Sequence, residues 1–496
     1  MANSILQETA LTYNSIDNYA LISKNIKDFL PSKFVVNGSV DYTSYIQAAI
    51  DSFNPYSNSN QHFSGILDLC NITFKVSTIF LRNGVILKGY GTKLISTTNA
   101  PIIKHSANTF ANGSQTHSAF GICGLFIEGS NTSCDSSLDL QDGIYLGYDD
   151  IYNSSSYSFI KNVSILRTGG HGIHIFKPNV SNQNFGWYQF SQFIDIDITF
   201  CKGYAILASG VTGNSDFSSN RLVNLSVNGC FTGGISLTGG NDNYIRGVIV
   251  DTGKCKAGGN TWINTVCDYP AQVNNQLNTT IDLHIENTQN ENGIGLAVGN
   301  VSQCYTTSIR GQMYNMSNPV KIDRNTGCSI DDIIFLSCTT YAITLTANSR
   351  NTEIGFNWYK DISTCALLND SVSDSTHSTT GYLTESLFNF SPESKVTCNK
   401  FKAVNGIEFN STIKPAGETG NQTINKPAGS VNFAAATTSL VVNNSLVKPS
   451  SIILVSKGTD DSTARLGAVV AADGSFKIIM DTPPASETRV NFTVFN

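Results

Sequence analysis

Ile165–Ile173, ILRTGGHGI, sets the reading of this chain, because its figure returns through the next two hundred residues as Ile198–Ile206 (ITFCKGYAI), Val227–Ile235 (VNGCFTGGI) and Phe335–Ile343 (FLSCTTYAI). In each copy an apolar residue, a small or polar turn and a second apolar residue follow one another, with the two apolar anchors eight apart. A looser copy, IENTQNENGI, runs from Ile285 to Ile294. Taking the second anchors as Ile173, Ile206, Ile235, Ile263, Ile294, Val320, Ile343 and Leu367 gives separations of 33, 29, 28, 31, 26, 23 and 24 residues. A period in that range marks a solenoid. Between anchors the apolar residues alternate, as in Phe193-Ile194-Asp195-Ile196-Asp197-Ile198, which is the spacing of strands and not of helices. The expected fold is therefore all-β: stacked strand–turn–strand coils forming a parallel β-helix, with neighbouring rungs about 4.7–4.9 Å apart and equivalent residues in continuous rows.

Composition agrees. Only 14% of the 496 residues are charged and the formal net charge is −6, which argues against a nucleic-acid or anionic-membrane partner, since phosphate binding needs a basic face. Gly is plentiful at 41 and Met scarce at 4. The 12 Cys are scattered singly, without metal-ligand spacing. Cys201, Cys230 and Cys338 lie three residues past their anchors, where Thr168 and Thr288 stand in other coils, so they are expected as a ladder of small buried thiols. No Asp cluster has the spacing of a calcium loop, and no cofactor or required metal is expected. The first residues, MANSILQETALTYNS, lack a basic segment followed by an apolar core, and no apolar stretch is long enough to span a bilayer, so neither a signal peptide nor a membrane partner is expected.

In chain order, residues 1–84 read as a lead-in and capping segment. Its helix, DYTSYIQAAIDSF at 41–53, takes Asp41 as N-cap and is expected to cover the open end of the first coil, whose strand edges would otherwise recruit other chains. Residues 85–404 form the β-helix, with insertions at 104–119, 148–158, 178–190, 211–219 and 254–280. Period is lost over 405–430, a linker rich in Gly, Pro, Asn and Thr, and 431–496 alternates in short runs as a small antiparallel β domain.

The opening, with IKDF, a helix ending in IQAAID and then GVILKGYGTKLIS, is similar to the start of the pectate-lyase-like parallel β-helix superfamily, which includes many bacteriophage tailspike depolymerases. Val36-Asn37-Gly38-Ser39 departs from the Gly-Asp-Gly turn many relatives carry there. At the other end, TGNQTINKPAGSVNFAA and TRVNFTVFN resemble the C-terminal module of phage tail fibres and tailspikes. The resemblance implies a right-handed β-helix, a homotrimer on a phage virion joined to the tail or baseplate through its N-terminus, and an enzyme that binds and depolymerises a bacterial capsular or O-chain polysaccharide. It supplies no catalytic residues, because such proteins share no motif. A non-catalytic adhesin and a cellular pectinase are the readings that compete with it.

Candidates come from the rows. With Ile281, Leu283 and Ile285 inward, Asp282, His284 and Glu286 face out, and aligning Val250 with Ile285 places Asp251 beside Glu286 on the next rung. Paired carboxylates hydrolyse glycosides, one as acid and one as base or nucleophile. Glu286 is thus the expected acid, Asp251 or Asp282 its partner, and His284 the orienting group. Asp197 extends the outer face. Trp187 and Tyr188 in PNVSNQNFGWYQF are candidates for stacking on sugar rings, against the alternative that they seal the loop. Arg167, His171 and His174 form a second cluster suited to a lyase, in which His or Tyr takes the proton α to a uronate carboxylate and Arg neutralises that carboxylate.

Overall fold

The computed structural model describes residues 22–53, 65–105, 116–131, 136–147, 153–177, 188–210, 217–252, 270–286, 294–346, 348–355, 357–362 and 411–495, together with the strand paths of 254–257, 261–264, 365–369, 378–379, 382–383 and 388–390. Alternating apolar residues do form stacked strands. A 17-stranded parallel sheet and a 15-stranded second sheet run along a right-handed β-helix, and a short third sheet of four strands closes one stretch of its cross-section. Coiling begins before residue 85, since Ile22–Asn25 already pairs in parallel with Gly65–Asp68. Two compact units divide the chain at Thr397 and Cys398.

Inward anchors of the long sheet stack as Ile165, Ile198, Val227, Ile249, Ile285, Met313 and Phe335, each at most 2% exposed. In the second sheet the ladder is Ile173, Ile206, Ile235, Ala271, Leu296, Val320, Ile343 and Leu367. Two expected anchors are therefore corrected. Ile263 belongs to an antiparallel hairpin, Lys254–Ala257 with Thr261–Asn264, inserted between coils, and Ile294 pairs with Asn318, two residues before the anchor Leu296. A second ladder, polar and buried, precedes six successive long-sheet strands: Ser158, Ser191, Asn220, Asn243, Thr279 and Thr307. Its side chains satisfy the corner backbone from one rung to the next, as where Asn220 Oδ1 accepts from the Ser191 N–H at 2.9 Å and Asn243 Oδ1 from the Asn220 N–H at 3.0 Å. Cys201, Cys230 and Cys338 are buried thiols outside any disulfide, as expected of a thiol ladder.

The helix Thr43–Asp51 buries Ile46, Ala49 and Ile50 against the first coil. Tyr42, and not the expected Asp41, takes the N-cap position, while Asp41 Oδ1 one residue earlier accepts from the Thr43 N–H at 2.8 Å. The second sheet ends on Ile79–Leu81, and the Gln47 amide meets that open edge, donating to the Phe80 carbonyl at 3.1 Å and accepting from the Phe80 N–H at 2.9 Å. Among the described residues no helix is long and apolar enough to cross a membrane.

The C-terminal unit has two four-stranded sheets, largely antiparallel, around Val431, Phe433, Phe476, Ile478 and Phe492. Ser411–Ile413 and Gln422–Thr423, inside the expected linker, pair in parallel with its strands.

Candidate functional site

The long sheet carries a bulge along its outer face. Gly124, Asn162, Asp195 and Asn224 are one extra residue on successive strands, all at positive φ between 51° and 69°, and Asp332 resumes the series at 55°. Gly, Asn and Asp suit a left-handed position because they pay least for it. Three strands between, Tyr244–Val250, Thr280–Glu286 and Ser308–Tyr314, lack the extra residue, and the register jumps by one on entering and on leaving them. Where the bulge is missing the outer face sinks. A groove of about 630 Å³ results, walled by Val223, Asn224 and Leu225 on one side and Ile334 on the other, and lined by Arg246, Val248, Asp282, His284 and Gln312.

Two outward rows supply its lining and a third runs beside it. Arg246, Asp282 and Arg310 form the first, with Arg246 Nε 3.5 Å from Asp282 Oδ2. Val248, His284, Gln312, Ile334 and Trp358 form the second, and the Trp358 ring, 60% exposed, extends it as an open apolar face. Val250, Glu286 and Tyr314 form the third. His284 ties rows together: its Nδ1 lies 2.9 Å from Gln312 Oε1 and its Nε2 3.6 Å from Glu286 Oε2.

The structure brings Asp282, His284 and Glu286 to one face, as the alternation predicts, but corrects the register of Asp251. Val250, not Asp251, is the partner of Glu286, and Ile249 takes the inward place. Val248-Ile249-Val250 is apolar throughout, so period alone does not fix which of the three turns inward. Asp251 follows in a left-handed turn at φ 52°, its N–H donating to the Glu286 carbonyl at 2.9 Å. Asp282 and Glu286 are four residues apart on one strand, roughly 13 Å at about 3.3 Å per residue, so they do not flank a common bond. Tyr188 is corrected as well: at 1% exposure, with its hydroxyl 3.4 Å from His105 Nδ1, the ring is core and offers no face to a sugar. Trp187 lies outside the described residues. Asp197 is exposed on the outer face, beyond the groove. Arg167, at φ 57°, reaches Glu128 at 3.6 Å and stands apart from His174.

His174 belongs to a separate cluster on the second sheet. Its Nδ1 is 3.0 Å from Asp142 Oδ2, and its ring lies near those of His171 at 4.7 Å and Tyr145 at 5.1 Å. Sequence reasoning missed Asp142, 32 residues away in a turn, Tyr145 and Lys104 one and two strands back, and the groove residues Arg246, Gln312 and Trp358. Counting positions along the second-sheet row would have found Tyr145 and Lys104. Nothing in the sequence marks Asp142.

No family model matches this chain, and neither does any curated protein. Solved structures to which it is similar include phage tailspikes and other parallel β-helix proteins. Tailspike protein 2 of bacteriophage CBA120, as its enzymatically active domain, is 14% identical, covering 96% of this chain and 76% of that one with a TM-score of 0.43. The tailspike of E. coli bacteriophage HK620, solved with a pentasaccharide, is 11% identical, with coverage of 95% and 93% and a TM-score of 0.40. PfbA, a surface adhesin of Streptococcus pneumoniae, is 13% identical, with coverage of 69% and 92% and a TM-score of 0.41. Likeness at this level carries no argument about chemistry.

Proposed function

We propose that the chain is a phage tailspike that binds a bacterial capsular or O-chain polysaccharide along its lateral face and depolymerises it. The groove left by the three strands without a bulge carries this reading: it is long, open and lined by donors, acceptors and both charges, with Trp358 as a stacking surface on the same row. Such a lining suits sugar hydroxyls and ring faces. The resemblance of both ends of the sequence to tailspikes points the same way.

In its hydrolytic form, Glu286 protonates the glycosidic oxygen with His284 beside it, and Asp251, at the end of the adjacent rung, activates water. Arg246, Asp282 and Gln312 hold neighbouring sugars. Glu286→Gln and Asp251→Asn should each slow the shortening of host polysaccharide, followed by size-exclusion chromatography, by at least about 100-fold, with an unchanged melting temperature. Full activity of Glu286→Gln removes that assignment. Undiminished polymer size with the unaltered protein, alongside binding lost in Arg246→Ala, would make the chain an adhesin. A second form, elimination on a uronate-containing polymer, is favoured by the pairing of His174 with the buried Asp142.

A further inference from the structure

The row of the groove that contains His284 has a chemical order of its own. From one rung to the next it reads His284, Gln312, Ile334 and Trp358, which is an imidazole, a carboxamide, an aliphatic side chain and an indole. The first three line the groove, and the fourth continues the row past its wall. Ile334 is 40% exposed and Trp358 60%, so apolar surface stands open to water beside a polar amide. Covering that surface is favourable for any ligand that does not thereby bury an unpaired polar group.

The amide is held in one orientation. Gln312 Oε1 accepts from His284 Nδ1 at 2.9 Å, and the far side of the imidazole is fixed in turn by Glu286, whose Oε2 lies 3.6 Å from Nε2. Both hydrogens of the Gln312 amide are therefore turned away from His284, and they have no protein acceptor among the described residues. The row thus presents, in sequence, an open donor, an aliphatic contact and an aromatic face.

We propose that this row is a subsite for an acetylated sugar, with the pyranose ring stacked on Trp358, the acetyl methyl against Ile334 and the acetyl carbonyl accepting from the Gln312 amide. The inference rests on the reading that the groove holds polysaccharide and names the substituent it selects. An acetyl group carries an acceptor and a methyl on one carbon, which is the pairing that Gln312 and Ile334 offer side by side. Ring carbon to methyl spans about 3.8 Å across a planar acetamide, as between successive Cα atoms. Neighbouring rungs lie about 4.7–4.9 Å apart, so a ring over Trp358 puts the methyl on Ile334 and the carbonyl toward Gln312. A bare hydroxyl in the same place meets Ile334, where it loses water and gains no partner. The acetyl group can arrive as an acetamide or as an acetyl ester. A second copy of the chain is the competing occupant, but a flat sheet face laid over a recessed groove leaves the Gln312 donors unmet.

An array of bacterial capsular and O-chain polysaccharides is probed with the full-length protein, and each polymer bound is probed again after mild alkali, which removes acetyl esters alone, and after hydrazinolysis, which removes acetamides too. Loss after alkali assigns the ester and loss only after hydrazinolysis the acetamide, with binding restored by re-acetylation. Deacetylation, Ile334→Ser and Gln312→Glu should each weaken binding by at least about tenfold. In Ile334→Ser, deacetylation should cost less than about threefold more, because both changes delete one contact. Gln312→Glu keeps the acceptor for His284 and removes only the donors, so it tests the row even where Ile334→Ser lowers the melting temperature. Binding that survives both treatments overturns the inference and leaves the proposed function standing, whereas no binding to any polymer overturns both. A sedimentation coefficient of the unliganded protein that falls in Ile334→Ser makes the row a contact between copies and overturns the inference as well.

Discussion

An imidazole shut away from water resists protonation, and two among the described residues do so. His105 is fully buried between Asn83, whose Oδ1 is 2.7 Å from Nε2, and the Phe120 ring, and burial pushes its pKa down to about 3. His171 is held near 4, again mainly by burial. In the unfolded chain both titrate near 6.5, so between about pH 6.5 and pH 4 the unfolded state binds protons that the native state refuses. Stability should therefore be level above pH 7 and fall steadily as pH drops below 6.5, by about 1.4 kcal/mol per group per unit. Calorimetry across pH 4–8 checks this, and His105→Gln should flatten the slope while lowering stability at pH 7 by about 1–3 kcal/mol. At this scale the sequence is half legible. His174 faces outward because Ile173 and Ile175 face inward. Its partner Asp142 sits in a turn between strands, where no periodicity indicates which residues of distant coils will meet.

Strands were read well where polar and apolar residues alternate and poorly where they do not. Ile281-Asp282-Leu283-His284-Ile285-Glu286 declares its faces, whereas Val248-Ile249-Val250 slips by one and moves Asp251 off the row of Glu286. The bulge was written in the sequence as Gly124, Asn162, Asp195 and Asn224 at equivalent positions, but it becomes readable only once the ladder gives the alignment. Two experiments address the element. Inserting Asn after Arg246 should restore the bulge in that strand and fill the groove, abolishing polysaccharide binding with the circular dichroism spectrum intact. Gly311 has φ 125° and a Cβ there would meet the Leu283 carbonyl at 2.0 Å, so Gly311→Ala should cost at least about 2 kcal/mol of stability, measured by thermal melting.

As a whole molecule, the column has one vulnerable end that the structure shows covered. The Gln47 amide pairs with Phe80 while Ile46 and Ile50 seal the first coil, so Ile50→Asp should bare a sheet edge and promote aggregation, seen by light scattering below the melting temperature. The C-terminal unit has its own keystone. Asp461 accepts from the N–H groups of Thr463 and Ala464 and from the hydroxyls of Thr463 and Thr488, and the Thr463 bonds above all hold its carboxyl well below the usual range. Asp461→Ala should lower one of two calorimetric transitions and spare the other. The repeat announced the solenoid, and the two compact units divide at Thr397 and Cys398, ahead of the expected linker at 405–430. That two strands of that run join the C-terminal sheets was hidden, because short strands among Gly and Pro resemble linker.

A furrow made by omitting one residue from each of three neighbouring strands has a length that can change only in whole coils. Substitutions within it retune its chemistry, while an in-frame loss of Asn224 or of Asp332 would extend it by one step of about 4.8 Å. If the groove holds a polymer as proposed, single-codon deletions and insertions are the events that would resize its footprint, and variation among homologous chains should be sought first in gaps at those two positions.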